Sequence, residues 1–466
     1  MSALPRGSWG DGELCLRAMM DIAIVDGPTA GLRVLQREVS QWAWSPDGRW
    51  LATADPVDIE GQTAVRVYDH EDGREALTIR GREALALAWP SSEHLLVVRS
   101  ADLGSRAVLH AVPDGGVLGT VPLPGLTRAR ARLSLSATRH PDECAARALV
   151  TPGRWPGGLR ENVRQRSAYV LALPELAVVT ALEPDTWTAL PRLPHVRPAV
   201  ATLSPDGELI AVWLGTPTPT EAARPGTGSL WMVPASGGAP KRVCAVGAGV
   251  ESVVFSDPSR LLLQSVLGLG GVRDRGDLAL VDAARGMVLF DTRAALEPDD
   301  SVGWLGARGT VDVHPDRERA VLAGRQPHGA RFTGALQELD LGSGLTPSLA
   351  PLSVPAKIEL GVSGAYTGEG DGLAVLCGKA PSTALVTLWR SLGGGALAGH
   401  AGWSVLLEGK KPREARLARS PGAVGLTVSW RVDGKPLRRG SLMPVAERLA
   451  WITRDALRDA AGPDNT

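Results

Sequence analysis

The sequence predicts an all-β chain: a β-propeller of four-stranded antiparallel blades, eight in number with seven as the alternative, plus a short C-terminal helix. Three observations point there. One complete unit is legible in residues 201–246, its first hairpin turn recurs along the whole chain, and its third strand recurs in step with that turn. In the complete unit an apolar strand runs into Ser204-Pro205-Asp206-Gly207. Pro presets the φ that a type I turn wants, and Gly takes the positive φ that follows. A second apolar strand (209–214) leads through a Pro/Thr/Gly loop to a third (229–233), and Gly237-Gly238 turns the chain into a short fourth. One such sheet cannot bury both faces, whereas copies stacked around a ring can.

Taken in order, the first turn of each unit lies in WAWSPDGRWLATA (42–54), LAWPSSEHLLVV (87–98), ATRHPDECAARALV (137–150) and the complete unit at Leu203. Then come VVFSDPSRLLLQS (253–265), VDVHPDRERAVLAG (311–324), VSGAYTGEGDGLAVLC (362–377) and LARSPGAVGLTVSW (417–430). The turns fall roughly 45 to 65 residues apart, wider than a minimal WD-type blade, which leaves room for long loops. The third unit keeps apolar second (145–151) and third (168–173) strands around its Pro/Arg-rich insertion, which favours eight blades over seven.

Third strands end at Asp69, Asp114, Pro174, Pro234, Asp282, Asp340 and Arg390. The N-terminal segment adds another, IAIVD ending at Asp26, with GLRVLQ after it as a fourth strand. It has no first strand of its own, so residues 22–36 are expected to complete the sheet begun by 416–432, both termini sharing the closing blade. Residues 440–445 compete for the same third-strand position. Beyond them Leu449, Ala450, Ile452, Ala456, Leu457 and Ala460 recur near helical spacing and stop at Gly462-Pro463. The expected division is therefore a propeller over 1–445 and an amphipathic helix with its tail over 446–466.

At 466 residues the chain exceeds an ordinary single core, a limit a propeller evades by adding small cores between blades. Fifty basic residues balance 50 acidic ones, so overall charge indicates neither a nucleic-acid protein nor an acidic solvating tail. Only six of the basic residues are Lys, and the abundance of Ala, Gly, Pro and Arg reads as a GC-rich, bacterial coding sequence. Cys15, Cys144, Cys244 and Cys377 lie far apart without C-x-x-C spacing and read as buried free thiols. The first 25 residues lack a basic run followed by an uninterrupted apolar core and cleavage site, and no apolar run approaches membrane-spanning length. A soluble, cytoplasmic protein without membrane contact is the expectation.

At SPDGELIAVW with GSLWMVPASGGAPKRV, and at SPDGRWLATA with VRVYDHEDGRE, the chain resembles the TolB-type propeller repeats, which are related in pattern to WD repeats. The likeness is good over two units and degraded over six. Gly81-Arg82 stands where a WD repeat has Gly-His, and the Trp-Asp ending survives only as Tyr68-Asp69, Val281-Asp282 and Leu339-Asp340. What the resemblance implies is a non-catalytic interaction platform.

Catalytic signals are weak throughout. No G-x-S-x-G elbow occurs, which removes the hydrolases that follow some TolB-like propellers. Ser45-Pro46-Asp47-Gly48-Arg49-Trp50 approaches a sialidase Asp-box, but its Gly follows Asp one residue too soon, so a structural turn is preferred. Residues 372–380 approach a phosphate loop with one residue too many between the glycines and Ala380 where a hydroxyl is needed. Glycine doublets at 115–116 and 237–238 are turn devices. His140 and His314 occupy the Ser position of the turn, and no His or carboxylate spacing indicates a metal. No cofactor and no metal ligand is assigned.

The faces of a propeller differ. In an antiparallel meander the loop between second and third strands and the link to the next blade leave on the same side. On that side lie the long insertions 151–167, 215–228, 267–276 and 325–332, together a formal +6. Links there add Arg128, Arg130, Lys410, Lys411 and Arg413, while the first blade contributes Asp55, Asp58 and Glu60. Long loops on a rigid scaffold carry function, and Arg with Trp is the composition of interface hot spots. The candidate partner-binding residues are therefore Trp155, Arg160, Arg164, Arg166, Trp187, Arg273, Arg275, Trp304, Arg325 and Arg331. The function expected is a scaffold that binds a protein partner bearing an acidic patch. The alternatives are a propeller enzyme, a lyase or hydrolase acting at the channel mouth, and a nucleic-acid-binding propeller, which the neutral charge and scarce Lys disfavour.

Overall fold

The structure, a computed structural model, describes residues 32–102, 104–126, 131–138, 140–152, 168–182, 197–215, 228–246, 250–266, 276–291, 306–314, 318–328, 331–341, 350–355, 362–367, 372–393, 396–421, 424–433 and 445–461. They form eight four-stranded antiparallel sheets. Seven are meanders in chain order: 41–82, 84–124, 131–182, 197–246, 250–291, 306–355 and 362–406. In the eighth, Arg413–Arg419, Leu426–Asp433 and Val445–Ile452 are joined by Leu32–Val39, which pairs antiparallel with Val445–Ile452 as its outer strand.

Each blade packs on the next, and the eighth on the first, so the ring is closed. Second strands are therefore buried on both faces and read as continuous apolar runs, not alternating ones. In the fourth blade Ile210, Ala211 and Val212 are fully buried and Trp213 nearly so, while Leu209 at the strand's start is half-buried. In blades one to five the outer strand carries one extra residue at the same place, Ala76, Leu118, Val179, Val243 and Leu289. A bulge of this kind bends the strand and increases its twist.

The closing blade departs from expectation. Residues 445–452 are a strand, with Leu449, Ala450, Trp451 and Ile452 all buried, and they hold the third position. The segment 22–26 lies outside the described residues, and the fourth strand runs from 32 to 39. The propeller thus extends past 445 to Ile452, and the helix is shorter than expected, Arg454–Ala461. Apolar residues buried on both faces mimic helical spacing over a short window, which is why 446–452 misled. Thr453 caps the helix by accepting the Ala456 N–H at 3.4 Å, and Asp455 sits in its first turn. Ala456 and Leu457 seal the joint between blades seven and eight.

Candidate interaction face

The meander puts the 1–2 turns of all blades and the 3–4 turns of blades one to seven on one face and the 2–3 loops and links on the other. The turn face is tightly closed. In the first blade Ser45 Oγ donates to Asp47 Oδ1 and accepts the Trp50 N–H at 2.9 Å, while Asp47 Oδ1 accepts the Arg49 N–H at 3.0 Å. Ser204, Asp206, Glu208 and Leu209 repeat this in the fourth. Arg147 of the third blade then donates to the Gly207 carbonyl of the fourth at 2.9 Å, and the Ala137 N–H donates to the Pro205 carbonyl at 2.7 Å. Turn chemistry thereby becomes inter-blade adhesion.

The opposite face is built differently. In the first blade Asp58 Oδ1 accepts the N–H groups of Glu60 and Gln62 at 2.9 and 2.8 Å, holding a tight loop whose tip, Ile59, is 69% exposed. Arg66 bridges Asp55 and Glu75 at 3.0 and 2.7 Å. Arg82 pairs with Asp102, and beneath them Arg99 is buried, donating to the carbonyls of Arg82 at 2.6 Å and Ile79 at 3.1 Å. Burial, with the charge of Arg106, pushes its guanidinium down to about 10. On the link before the eighth blade Lys410 and Lys411 are exposed, and Arg413 pairs with Asp433 at 3.1 Å. Arg431 sits between Glu414 at 2.6 Å and Glu447 at 3.8 Å.

Of the ten candidates, Trp155, Arg160, Arg164, Arg166, Trp187, Arg273, Arg275 and Trp304 lie outside the described residues. The strand ends that flank their segments leave on this face: Arg147–Pro152 and Ala168–Ala172 in the third blade, Arg260–Val266 and Gly276–Asp282 in the fifth. Arg325 and Arg331 are a correction. They belong to a hairpin, not a long loop: Arg319–His328 pairs with Arg331–Asp340 up to His328 opposite Arg331. That ribbon runs three residues past the first strand's last pairing, Gly306 with Arg325, a projection of roughly 10 Å.

A polar cluster that spacing did not reveal joins blades six and seven. The Tyr366 hydroxyl donates to Glu338 at 2.8 Å, Arg319 pairs with Glu338 at 3.4 Å, and His314 Nε2 lies 3.0 Å from Arg319. The His314 and Tyr366 rings meet edge to face at 4.7 Å, and the Tyr366 N–H donates to Asp312 Oδ2 at 2.9 Å. Burial raises the Asp312 carboxyl, and burial with the Glu338 charge raises the Tyr366 phenol. His314, at the Ser position of its turn, joins this network through Arg319. The wall of the channel between blades three and four holds a cavity of about 180 Å³, whose polar lining is Arg132, Ser134, Thr151 and Thr202. Among the described residues no three His, Cys, Asp or Glu side chains are grouped to hold a metal ion. Cys144, Cys244 and Cys377 are free thiols, with Cys377 buried and the other two half-buried. Burial pushes Cys244 up to about 11 and raises Cys144.

No family model and no curated protein matches the sequence. Among solved structures the chain is similar to the Dos1 propeller, at TM-score 0.51 and 11% identity over 92% of this chain and 95% of that one. It is also similar to Sqt1 from Saccharomyces cerevisiae, at TM-score 0.51 and 9% identity over 91% and 99%. The fold is a β-propeller. TolB from Acinetobacter baumannii overlaps this propeller at TM-score 0.32 and 15% identity over 76% and 81%.

Proposed function

We propose that this propeller is a non-catalytic scaffold that binds a protein partner, one with an acidic patch, through its loop-rich face. The division of the two faces carries the proposal. On the turn face Ser45 and Ser204 are used within their own turns and Arg147 bonds across to the next blade, so these side chains hold the propeller together. The opposite face holds an exposed tip at Ile59, the exposed Lys410 and Lys411, and the strand ends that flank the Arg- and Trp-bearing segments. Loops held by a rigid scaffold are where binding concentrates, and Trp155 with Arg160, Arg164 and Arg166 has hot-spot composition. Free thiols at Cys144, Cys244 and Cys377 suit a reducing, cytoplasmic setting. Among the described residues no helix is long and apolar enough to cross a membrane. Affinity capture with the purified chain, followed by titration of the captured protein against charge-reversed loop variants, tests the proposal.

A further inference from the structure

Among the described residues the outer strand of each blade pairs with only one neighbour, and an open edge is a template for strand addition. Beyond the bulge that blades one to five share, seven of the eight carry a charge, a proline or a covering helix that blunts it. Charges interrupt the first (Arg80), fourth (Lys241), fifth (Asp291) and eighth (Glu38). Prolines, which lack an N–H, interrupt the second (Pro122) and sixth (Pro351), and the C-terminal helix packs against the seventh. The third, Ala177–Leu182, reads AVVTAL and has none of these.

The surroundings of this edge are apolar. Val178 is 40% and Val179 39% exposed, and beside them in the second blade Val117 and Leu118 are 61% and 54% exposed. The two strands are held close, since a Cβ on Gly119 would sit 3.3 Å from that of Leu176. At the turn-face end the exposed Asp114 and Glu175 stand on the 3–4 turns of these two blades.

We propose that the outer edge of the third blade is a second docking site, distinct from the loop-rich face. It takes an extended aliphatic segment of a partner protein by antiparallel strand addition. Main-chain hydrogen bonds along Ala177–Leu182 supply affinity, and alternate side chains meet Val117, Leu118, Val178 and Val179. An antiparallel segment ends beside Ala177, so basic residues at its C-terminal end meet Asp114 and Glu175. The same charges disfavour a second copy of this chain. In an antiparallel pair of third blades, Glu175 of each would lie at the end of the other's Ala177–Leu182, a strand with no basic residue to answer it.

A fluorescent peptide of eight alternating Thr and Val residues ending in two lysines, titrated against the full chain, tests this. Saturable binding is expected. Val178→Lys should weaken it at least about ten-fold, because an edge lysine blocks pairing, with an unchanged thermal midpoint showing the fold intact. Glu175→Lys should weaken the lysine-ended peptide but not one with neutral ends, and a peptide N-methylated at alternate amides should not bind. No binding at millimolar peptide, binding indifferent to Val178→Lys, or equal binding of the N-methylated peptide would overturn the proposal. So would a dimer in sedimentation that Val178→Lys abolishes, which would make a second copy the occupant.

Discussion

Trp42, at the start of the first blade, donates its indole N–H at 3.0 Å to Glu447 in the eighth, 405 residues further along the chain. Trp44 donates to Thr427 at 2.9 Å and meets Trp451 edge to face at 5.6 Å. Ring closure thus uses side chains across the seam as well as Leu32–Val39 pairing on Val445–Ile452. Trp44→Ala, which removes both contacts and leaves a cavity, is expected to cost about 2 to 4 kcal/mol. Trp42→Phe, which loses one hydrogen bond to a half-buried carboxylate, is expected to cost about 1 kcal/mol. Urea denaturation of the two variants checks the ranking.

Gly48 and Gly73 both take positive φ, 76° and 71°, but only the first is hemmed in. A Cβ at Gly48 would overlap the Pro421 carbonyl of the eighth blade, whereas at Gly73 nothing lies within 4 Å. Gly73→Ala should therefore cost only the left-handed backbone penalty, about 1 kcal/mol. Gly48→Ala adds a backbone clash, and a loss of about 3 kcal/mol or more in the same denaturation experiment is expected.

His110 is buried, with Nδ1 3.3 Å from the Gly115 carbonyl, so the proton sits on Nδ1 and the buried Nε2 has no partner among the described residues. Burial, with the charge of Arg99, lowers its pKa below the usual 6.5, against a smaller opposing effect of the Gly115 hydrogen bond. The unfolded chain therefore takes up the proton first as pH falls. The resulting stability is intact above the unfolded value and is lost as pH falls through the folded one. Denaturation midpoints of wild type should drop below pH 6.5 more steeply than those of His110→Leu, and parallel curves would remove His110 from the account.

The turns and third strands were legible because each has a local cause. Pro and Gly fix Ser45-Pro46-Asp47-Gly48 and Ser204-Pro205-Asp206-Gly207, and both turns form as read. The closing strand was not, since Leu449 to Ile452 are buried on both faces without a strand's alternation, and their spacing reads as helical. Nor were Arg147 on Gly207 and Tyr366 on Glu338, which join blades through residues that no spacing relates. For the candidate face, topology confirms only which side its flanking strands leave from.

Ile210 is fully buried in the fourth blade, where an unpaired carboxylate costs several kcal/mol or more. Ile210→Asp should leave no soluble folded protein. Leu209→Asp, at a half-buried position, should be tolerated better. Soluble yield and circular dichroism of the pair separate the two outcomes.

The most direct test of the loop-rich face is partner capture by Arg164→Glu/Arg166→Glu, compared with Arg74→Glu, whose side chain is 86% exposed on the turn face. Arg74 is exposed, and residues 151–167 are too polar and too rich in Gly and Pro to form a core; substitutions at such positions shift stability by roughly half a kcal/mol or less, so all three proteins should unfold at nearly the same temperature. Titration of the captured partner should show affinity lost in the double variant and kept in Arg74→Glu. Undiminished affinity in a soluble, normally folded double variant would contradict the assignment of binding to this face.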